Sequence, residues 1–146
     1  MVRASSLQKY ALFGGLLEEQ INNIIPLMKE EVYNPEDFLI VEGKANDKIF
    51  FLLEGHVAVT RNDIELTHFG EGEAIGEMEV LDVMPAVASI RALSHVKVIS
   101  ISNKALREIY KLDVKTFSLI IMNLARDLSR RLRKMDEKLA DTPILI

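Results

Sequence analysis

The spacing of apolar residues changes twice along the chain and divides it into three zones. Over residues 5–31 apolar residues recur at steps of three and four, which predicts helices, and Pro26 is expected to split the second of them. Over residues 32–101 the apolar runs are short or alternating and lie between turn residues, which predicts roughly seven or eight β-strands. Asn62-Asp63 separates two such runs and predicts a tight hairpin turn.

Residues 103–141 are predicted to be helical again. Ser102 or Asn103 is expected to cap a short helix, and Asp113 a long one that ends at Thr142-Pro143. A helix of about 25 residues is ~38 Å long, which exceeds what a small β domain can cover. Part of this helix is therefore expected to extend beyond the rest of the domain.

The order of the three zones indicates a single α+β domain, residues 1–146, that is mainly β. We expect a jelly-roll β-barrel or sandwich flanked by N-terminal helices and a long C-terminal helix. The composition agrees, because 146 residues usually form one domain and 49% of them are hydrophobic, which is enough to fill one core. The predicted strands follow one another without intervening helices, which argues against β-α-β units.

Charge and composition exclude several kinds of protein. The net charge of −4 argues against non-specific coating of nucleic acid, which needs a positive surface. No run approaches the roughly 18 apolar residues that span a bilayer, and the N-terminus lacks the apolar region of a signal peptide. The chain has no Cys, which excludes disulfides, Cys-bound metals and cysteine nucleophiles. A reducing compartment fits this composition, and we expect a cytoplasmic location.

The sequence contains no pattern typical of catalysis or metal binding. A jelly roll can hold a metal ion between clustered histidines, but His56, His68 and His95 are scattered over three predicted strands without a His-x-His pair. No nucleophile elbow, HExxH sequence or phosphate-binding loop with Gly-Lys-Ser/Thr occurs. We therefore predict no metal, no catalytic residue and no enzymatic activity.

Residues 72–92 resemble the phosphate-binding cassette of cyclic nucleotide-binding domains, with Gly76-Glu77, a short helical turn and then Pro85 before small residues. Val41-Glu42-Gly43 and the run from Asp47 to Gly55 follow the family's order and spacing, and the resemblance covers about residues 10–138. The long helix, with Leu128-Ser-Arg-Arg-Leu132, is similar to the dimerisation helix of bacterial regulators of the catabolite-activator type.

The resemblance implies a regulatory or sensor domain that binds cAMP or cGMP and transmits the state of the ligand or of a partner through its C-terminal helix. Glu77 would accept the ribose 2′-hydroxyl, while small residues and free N–H groups would let the backbone approach the phosphate. The residues that the resemblance assigns to the cassette are Gly76, Glu77, Met78, Pro85, Ala86, Val87 and Ala88.

Ala86 stands where the family has its phosphate-binding Arg. Charge-assisted hydrogen bonds contribute about 1.5–3 kcal/mol each, so the loss of a bidentate pair lowers the affinity by a factor of roughly 10² to 10⁴. Any binding of cAMP or cGMP is therefore expected to be weak. Two alternatives stay open: a ligand-free dimerising interaction module, and a domain that binds a different small ligand in the same pocket.

Three further residues are candidate ligand contacts: Arg91, Met135 and Asp136. Arg91 lies five residues after Ala86, so a regular strand would point it to the opposite face. Met135 and Asp136 stand, by register, where the catabolite-activator type has hydroxyl residues that meet the adenine. Met135 would pack on a ring, and Asp136 would accept a hydrogen bond from an amine.

The resemblance and the apolar stripe of the long helix together predict a homodimer. The stripe consists of Phe117, Ile121, Leu124, Leu128, Leu132 and Met135. Residues 126–138 carry six basic and three acidic side chains, a face that suits an acidic protein partner, DNA phosphates or an anionic membrane. The alternative is a solvated face with ion pairs of Asp127 with Arg130 or Arg131. No independent sequence-specific DNA binding is expected, because no helix-turn-helix pair is predicted.

Overall fold

The strands lie between two groups of helices, in the order that the apolar spacing predicts. The structure, a computed structural model, describes residues 2–141. The helices are α1 (Ala4–Leu7), α2 (Glu18–Ile24), α3 (Glu77–Asp82), α4 (Asn103–Leu112) and α5 (Val114–Ala140), with 3-10 turns at Ala11–Phe13 and Ile25–Leu27. The strands are β1 (Lys29–Tyr33), β2 (Phe38–Ile40), β3 (Lys48–Glu54), β4 (Val57–Arg61), β5 (Ile64–Phe69), β6 (Ala74–Ile75), β7 (Ser89–Ala92) and β8 (Val96–Ser102).

Within residues 2–141 the strands form two four-stranded sheets, in the orders β1-β8-β3-β6 and β2-β7-β4-β5. All pairs are antiparallel, and the predicted α+β jelly roll is confirmed. Ile49 and Phe51 of β3 pack against the helices, whereas Phe50 and Leu52 face the other sheet. Because both faces of β3 are buried, its sequence is a continuous apolar run and does not alternate.

Two turn predictions are confirmed, and one zone boundary is wrong. Asn62 and Asp63 have φ angles of 52° and 61° and connect β4 to β5, and Pro26 lies in the 3-10 turn that ends α2. The helical zone predicted for residues 5–31 instead gives way to β1 at Lys29. β1 is an edge strand, and its sequence does not alternate between apolar and polar residues. The strand is therefore identified only by its pairing with β8.

Helices α4 and α5 begin at the polar caps that the sequence predicts. The Ser102 hydroxyl accepts a hydrogen bond from the Ala105 amide at 3.1 Å, so Ser102 and not Asn103 is the cap of α4. The carboxylate of Asp113 accepts from the Lys115 amide at 3.1 Å and from the Thr116 hydroxyl at 2.7 Å. α5 has 27 residues. The predicted end at Thr142-Pro143 lies outside the described residues.

The first half of α5 belongs to the core of its own chain, which corrects the predicted dimer stripe. Leu124 is 2% exposed and packs in the core with residues of the N-terminal helices. The Asn123 side chain donates to the carbonyls of Leu12 and Gly14, both at 3.0 Å. Phe117 and Ile121 pack against the same core.

The exposed members of the apolar stripe lie in the second half of α5. Leu132, Met135 and Leu139 are 60%, 59% and 68% exposed. The part of the stripe that a second copy can cover is therefore shorter than predicted. In the described part of the chain, no helix combines the length and the apolar content that crossing a membrane requires.

Candidate ligand site

The predicted cassette connects β6 to β7 and begins with a glycine that the backbone requires. Gly76 has a φ of 84°, and an added Cβ would lie 2.5 Å from the carbonyl oxygen of Lys48. A side chain at this position would be strained both by the positive φ and by this close approach. The Asn46 side chain fixes the same turn, because its amide donates to the carbonyls of Lys48 and Gly76.

Glu77, the first residue of α3, is a buried carboxylate held by an arginine of α5. It is 4% exposed, and its Oε1 accepts a hydrogen bond from Arg131 at 2.8 Å. Burial raises the pKa of Glu77, and the positive charge of Arg131 opposes that rise. The net effect is a raised pKa of Glu77. Without Arg131 the cost of ionising this carboxyl would therefore be larger still.

Arg131 has several partners at once, which fixes the orientation of its guanidinium. Besides Glu77, it donates to the carbonyl of Ala74 and pairs with Asp127 at 2.9 Å. Its guanidinium carbon also lies 4.4 Å from the ring centroid of Phe69, a cation–π distance. The four partners come from β5, β6, α3 and α5, so one side chain ties the long helix to the cassette.

Ala86 is part of the apolar core between the sheets. It is 4% exposed and packs in the cluster that includes Ile90 and Ala92. Its amide donates to the carbonyl of Lys44 at 2.9 Å, and its carbonyl accepts from the amide of Gly43 at 2.8 Å. The position that the resemblance assigns to an arginine is thus occupied by a buried methyl group whose backbone is already hydrogen-bonded.

The structure buries only some of the predicted cassette residues. Gly76, Glu77 and Ala86 are buried, whereas Met78 and Val87 are about half-exposed. Of the remaining two cassette residues, Pro85 is exposed and Ala88 is half-buried.

Among the described residues, none of the three further candidate contacts forms a hydrogen bond or ion pair with Glu77. Arg91 lies on β7 between the inward-facing residues Ile90 and Ala92, and its guanidinium pairs with Glu36 at 2.7 Å. The expected orientation of Arg91 away from the face of Ala86 therefore agrees with the structure. Met135 and Asp136 are exposed on α5, beyond Arg131.

Sequence reasoning missed the contact between Arg131 and Glu77. It predicted Asp127 as the partner of Arg130 or Arg131, and both pairs form, at 3.7 and 2.9 Å. The helical spacing shows only these local pairs, because the partner in α3 is 54 residues away. The chain offers 18 Lys and Arg residues as partners for Glu77, so the sequence alone does not single out Arg131.

No group of three or more His, Asp or Glu side chains within residues 2–141 is arranged to hold a metal ion. His68 pairs with Glu65 at 2.7 Å on the exposed strand β5. The chemistry available at the cassette is therefore that of a buried carboxylate and one guanidinium. Such a pair can bind polar groups of a ligand.

Comparisons with known proteins agree with this architecture. The model of the family described as cyclic nucleotide-binding domain matches residues 30–113. The type II regulatory subunit of the cAMP-dependent protein kinase of Drosophila melanogaster is 27% identical over 137 residues, which are 94% of this chain and 32% of that protein. The cyclic AMP receptor protein of Thermus thermophilus is 27% identical over 133 residues, 88% of this chain and 60% of that protein. The chain thus spans about a third and three fifths of these two relatives.

Solved structures show the same fold. A cyclic nucleotide-binding domain from Methylobacillus flagellatus superposes with a TM-score of 0.85 at 26% identity and covers 98% of this chain and 84% of that one. The catabolite activator protein of Thermus thermophilus superposes with a TM-score of 0.77 at 24% identity, over 89% of this chain and 62% of that one. At this identity the second likeness establishes the fold alone.

Proposed function

The chain belongs to the cyclic nucleotide-binding domain family, and from that premise we propose that it is a regulatory domain whose cassette binds a cyclic nucleotide or a related small ligand and whose α5 transmits the bound state. The two relatives described above are named for cAMP. The fold is a regulatory one, and the sequence carries no set of residues that would run a reaction. A cytoplasmic location, which fits the absence of Cys, is part of the same proposal.

The contact between Arg131 and Glu77 carries this proposal. Glu77 is the residue that the resemblance assigns to the ribose hydroxyl, and it is held from α5 by a hydrogen bond of 2.8 Å. A hydroxyl that donates to Glu77 would share its acceptor with Arg131. Occupation of the cassette would thus change the strength of the bond that positions α5. The resulting shift can be only as large as the difference in the ligand's affinity for the two arrangements.

A second candidate function is an interaction module that has kept the fold without the nucleotide. The observation that favours it is the burial of Ala86, whose methyl group fills core space and whose amide is already bonded to Lys44. A phosphate would find neither a guanidinium nor a free amide at this residue. The module would then act through α5, either as a homodimer or through a protein partner on the basic face of residues 126–138.

Calorimetric titration with cAMP and with cGMP distinguishes the two candidates. The first predicts weak, saturable binding by the natural chain and tighter binding by Ala86→Arg, up to the factor of roughly 10² to 10⁴ that a bidentate arginine contributes. Val87→Arg is the matched control, because it adds the same charge at the exposed neighbouring position. If the natural chain is silent to millimolar ligand and Ala86→Arg binds, the cassette is a degenerate nucleotide site and the second candidate stands.

A further inference from the structure

A groove between α3, α4 and α5 has the features of a docking site for another protein. It has a volume of about 400 Å³, and the buried carboxylate of Glu77 does not line it. Its apolar lining consists of Val80, Leu81, Leu106, Tyr110, Phe117 and Ile121. We propose that this groove binds an amphipathic helix of a partner protein that carries acidic residues along one edge.

The lining of the groove is apolar and accessible. Tyr110 and Leu81 are each about half-exposed, and the Tyr110 ring packs edge-on against Phe117 with their centroids 5.3 Å apart. Exposed aromatic and aliphatic groups that converge in a concavity gain most when an apolar side chain of a partner covers them. Side chains from three helices bound the groove, so a further helix would complete the packing of this layer.

A basic edge defines which helix would fit. Lys104, Arg107 and Lys111 follow one another on α4 at steps of three and four, so they share one side of the helix. Arg107 and Lys111 line the groove itself, and no acidic residue does. Among the described residues Lys104 and Arg107 form no ion pair, and Lys111 has only Glu108 of its own helix, at 3.7 Å.

The spacing of these charges matches a helix better than a flat surface. The strip from Lys104 to Lys111 is two turns long, or ~10 Å, and acidic residues at the same steps on a docked helix would face it. An anionic membrane would also meet Asp82, the exposed acid that follows the groove residue Leu81 on α3. That carboxylate would repel it.

This proposal does not depend on a nucleotide in the cassette. The groove is lined by the outer side of α3 and by α4 and α5, whereas Glu77 points inward to Arg131. A partner helix could therefore bind whether or not the cassette holds a ligand. Failure of cAMP and cGMP to bind would leave the docking proposal as it stands.

The test is a fluorescence anisotropy titration of the whole chain against a labelled helical peptide of about 16 residues, long enough to form three to four turns. Leucines form one face of the peptide, and glutamates at steps of three and four form the edge. A second peptide has lysines in place of the glutamates. We expect the acidic peptide to bind at least about tenfold more tightly than the basic one, and more weakly as salt is added.

Two double variants locate the binding site. Arg107→Glu with Lys111→Glu reverses the charge in the groove and is expected to weaken binding about tenfold or more. Arg3→Glu with Lys9→Glu makes the same change of charge on two exposed residues of the N-terminal segment, neither of which lines the groove, and should leave binding within about twofold. Tyr110→Ser, which removes a half-exposed ring from the lining, serves as an independent variant without a change of charge.

Several results would overturn the proposal. These are equal affinity for the two peptides, equal losses in the two double variants, and no binding of the acidic peptide at millimolar concentration. A further contrary result is that the chain sediments with phosphatidylserine vesicles and binds neither peptide. If Arg107→Glu with Lys111→Glu then abolishes that cosedimentation, the surface binds a membrane and not a partner helix. The peptide should also change NMR amide chemical shifts mainly in α3, α4 and the first turns of α5, and changes centred elsewhere would contradict the proposed site.

Discussion

The guanidinium of Arg131 donates to the carboxylate of Glu77 at 2.8 Å, across 54 residues of sequence. Glu77 opens the cassette helix, and Arg131 lies in the second half of the long helix. The pair satisfies a carboxylate that is 4% exposed, and it holds the two elements in one arrangement. The cassette and α5 are therefore coupled by a bond that a ligand or a mutation can alter.

The first prediction concerns the energy of this bond. Arg131→Met leaves the carboxylate of Glu77 buried without its partner, and we expect a loss of about 3 kcal/mol in the free energy of unfolding, the lower end of what breaking a buried ion pair costs. Urea denaturation measures it. In the double variant with Glu77→Gln the loss should be smaller than for Arg131→Met alone, because the uncompensated charge is gone.

Arg130→Met is the matched control for Arg131. Arg130 is more exposed, and its one ion pair within residues 2–141 is with Asp127, at 3.7 Å, so its removal should cost no more than about 0.5 kcal/mol. Equal costs for the two arginine variants would mean that the contact with Glu77 contributes nothing to stability.

The second prediction compares two glycines with the same backbone conformation. Gly76 and Gly43 have φ angles of 84° and 82°, but an added Cβ meets the Lys48 carbonyl at Gly76 and nothing within 4 Å at Gly43. Gly43→Ala should cost about 1–2 kcal/mol, the strain of a left-handed alanine. Gly76→Ala should cost clearly more, because the turn must also move.

Thermal and urea unfolding of both alanine variants checks this difference. Both alanine variants carry the same conformational strain, so the difference between their losses of stability reports the close approach to Lys48. If Gly43→Ala destabilises the protein as much as Gly76→Ala, the close approach to Lys48 is relieved without cost.

The architecture could be predicted from local patterns, whereas the contacts that couple its parts could not. Pro26 and Asn62-Asp63 act on the backbone near them, so their effects are visible in the sequence. The role of Leu124 was assigned wrongly, because an apolar residue on a helical stripe looks the same whether it faces the chain's own core or a second copy. Arg131 could not be matched to Glu77, because that pairing depends on how α5 crosses the barrel.

The third prediction concerns a strained residue at the end of α3. Val83 has a φ of 58°, which is unfavourable for a β-branched side chain, and it is 83% exposed, so packing offers little compensation. We expect Val83→Gly to raise the free energy of unfolding by about 0.5–1 kcal/mol, the relieved strain less the added backbone entropy of glycine.

Val32→Gly provides the contrast. Val32 is also exposed but lies in the extended strand β1, where valine is favourable, so the same substitution should destabilise by about 0.5–1 kcal/mol. Destabilisation by both substitutions would show that the left-handed conformation at Val83 carries no net strain.

The fourth prediction is a pH dependence at the cap of α5. The hydrogen bond from Thr116, helped by those from Gln20 and the Lys115 amide, lowers the pKa of Asp113 below its usual 3.8. Its pKa is lower in the folded chain than in the unfolded one, so the ionised carboxylate stabilises the fold above the ordinary pKa. This stabilisation is lost as the pH falls through the lowered value.

Asp113→Asn isolates this effect, because it keeps a capping side chain that does not titrate. The stability difference between the natural chain and Asp113→Asn should be constant near pH 6 and shrink towards the lowest pH at which both remain folded. Urea titrations at each pH measure it. A difference that stays constant or grows on acidification would contradict the assignment.

The fifth prediction is that the exposed second half of α5 mediates a homodimer. Leu132 and Leu139 are 60% and 68% exposed and continue the helical stripe, so a second copy would remove them from water. Sedimentation velocity should show a dimer for the natural chain and a folded monomer for Leu132→Asp, because two carboxylates would meet at the seam. Val32→Asp, which places the same charge on an exposed valine of β1, should remain a dimer.

Leu124 is unsuitable for this test, because its substitution would disrupt the core of the monomer. A natural chain that sediments as a monomer, or a Leu132→Asp variant that still sediments as a dimer, would exclude this face as the interface.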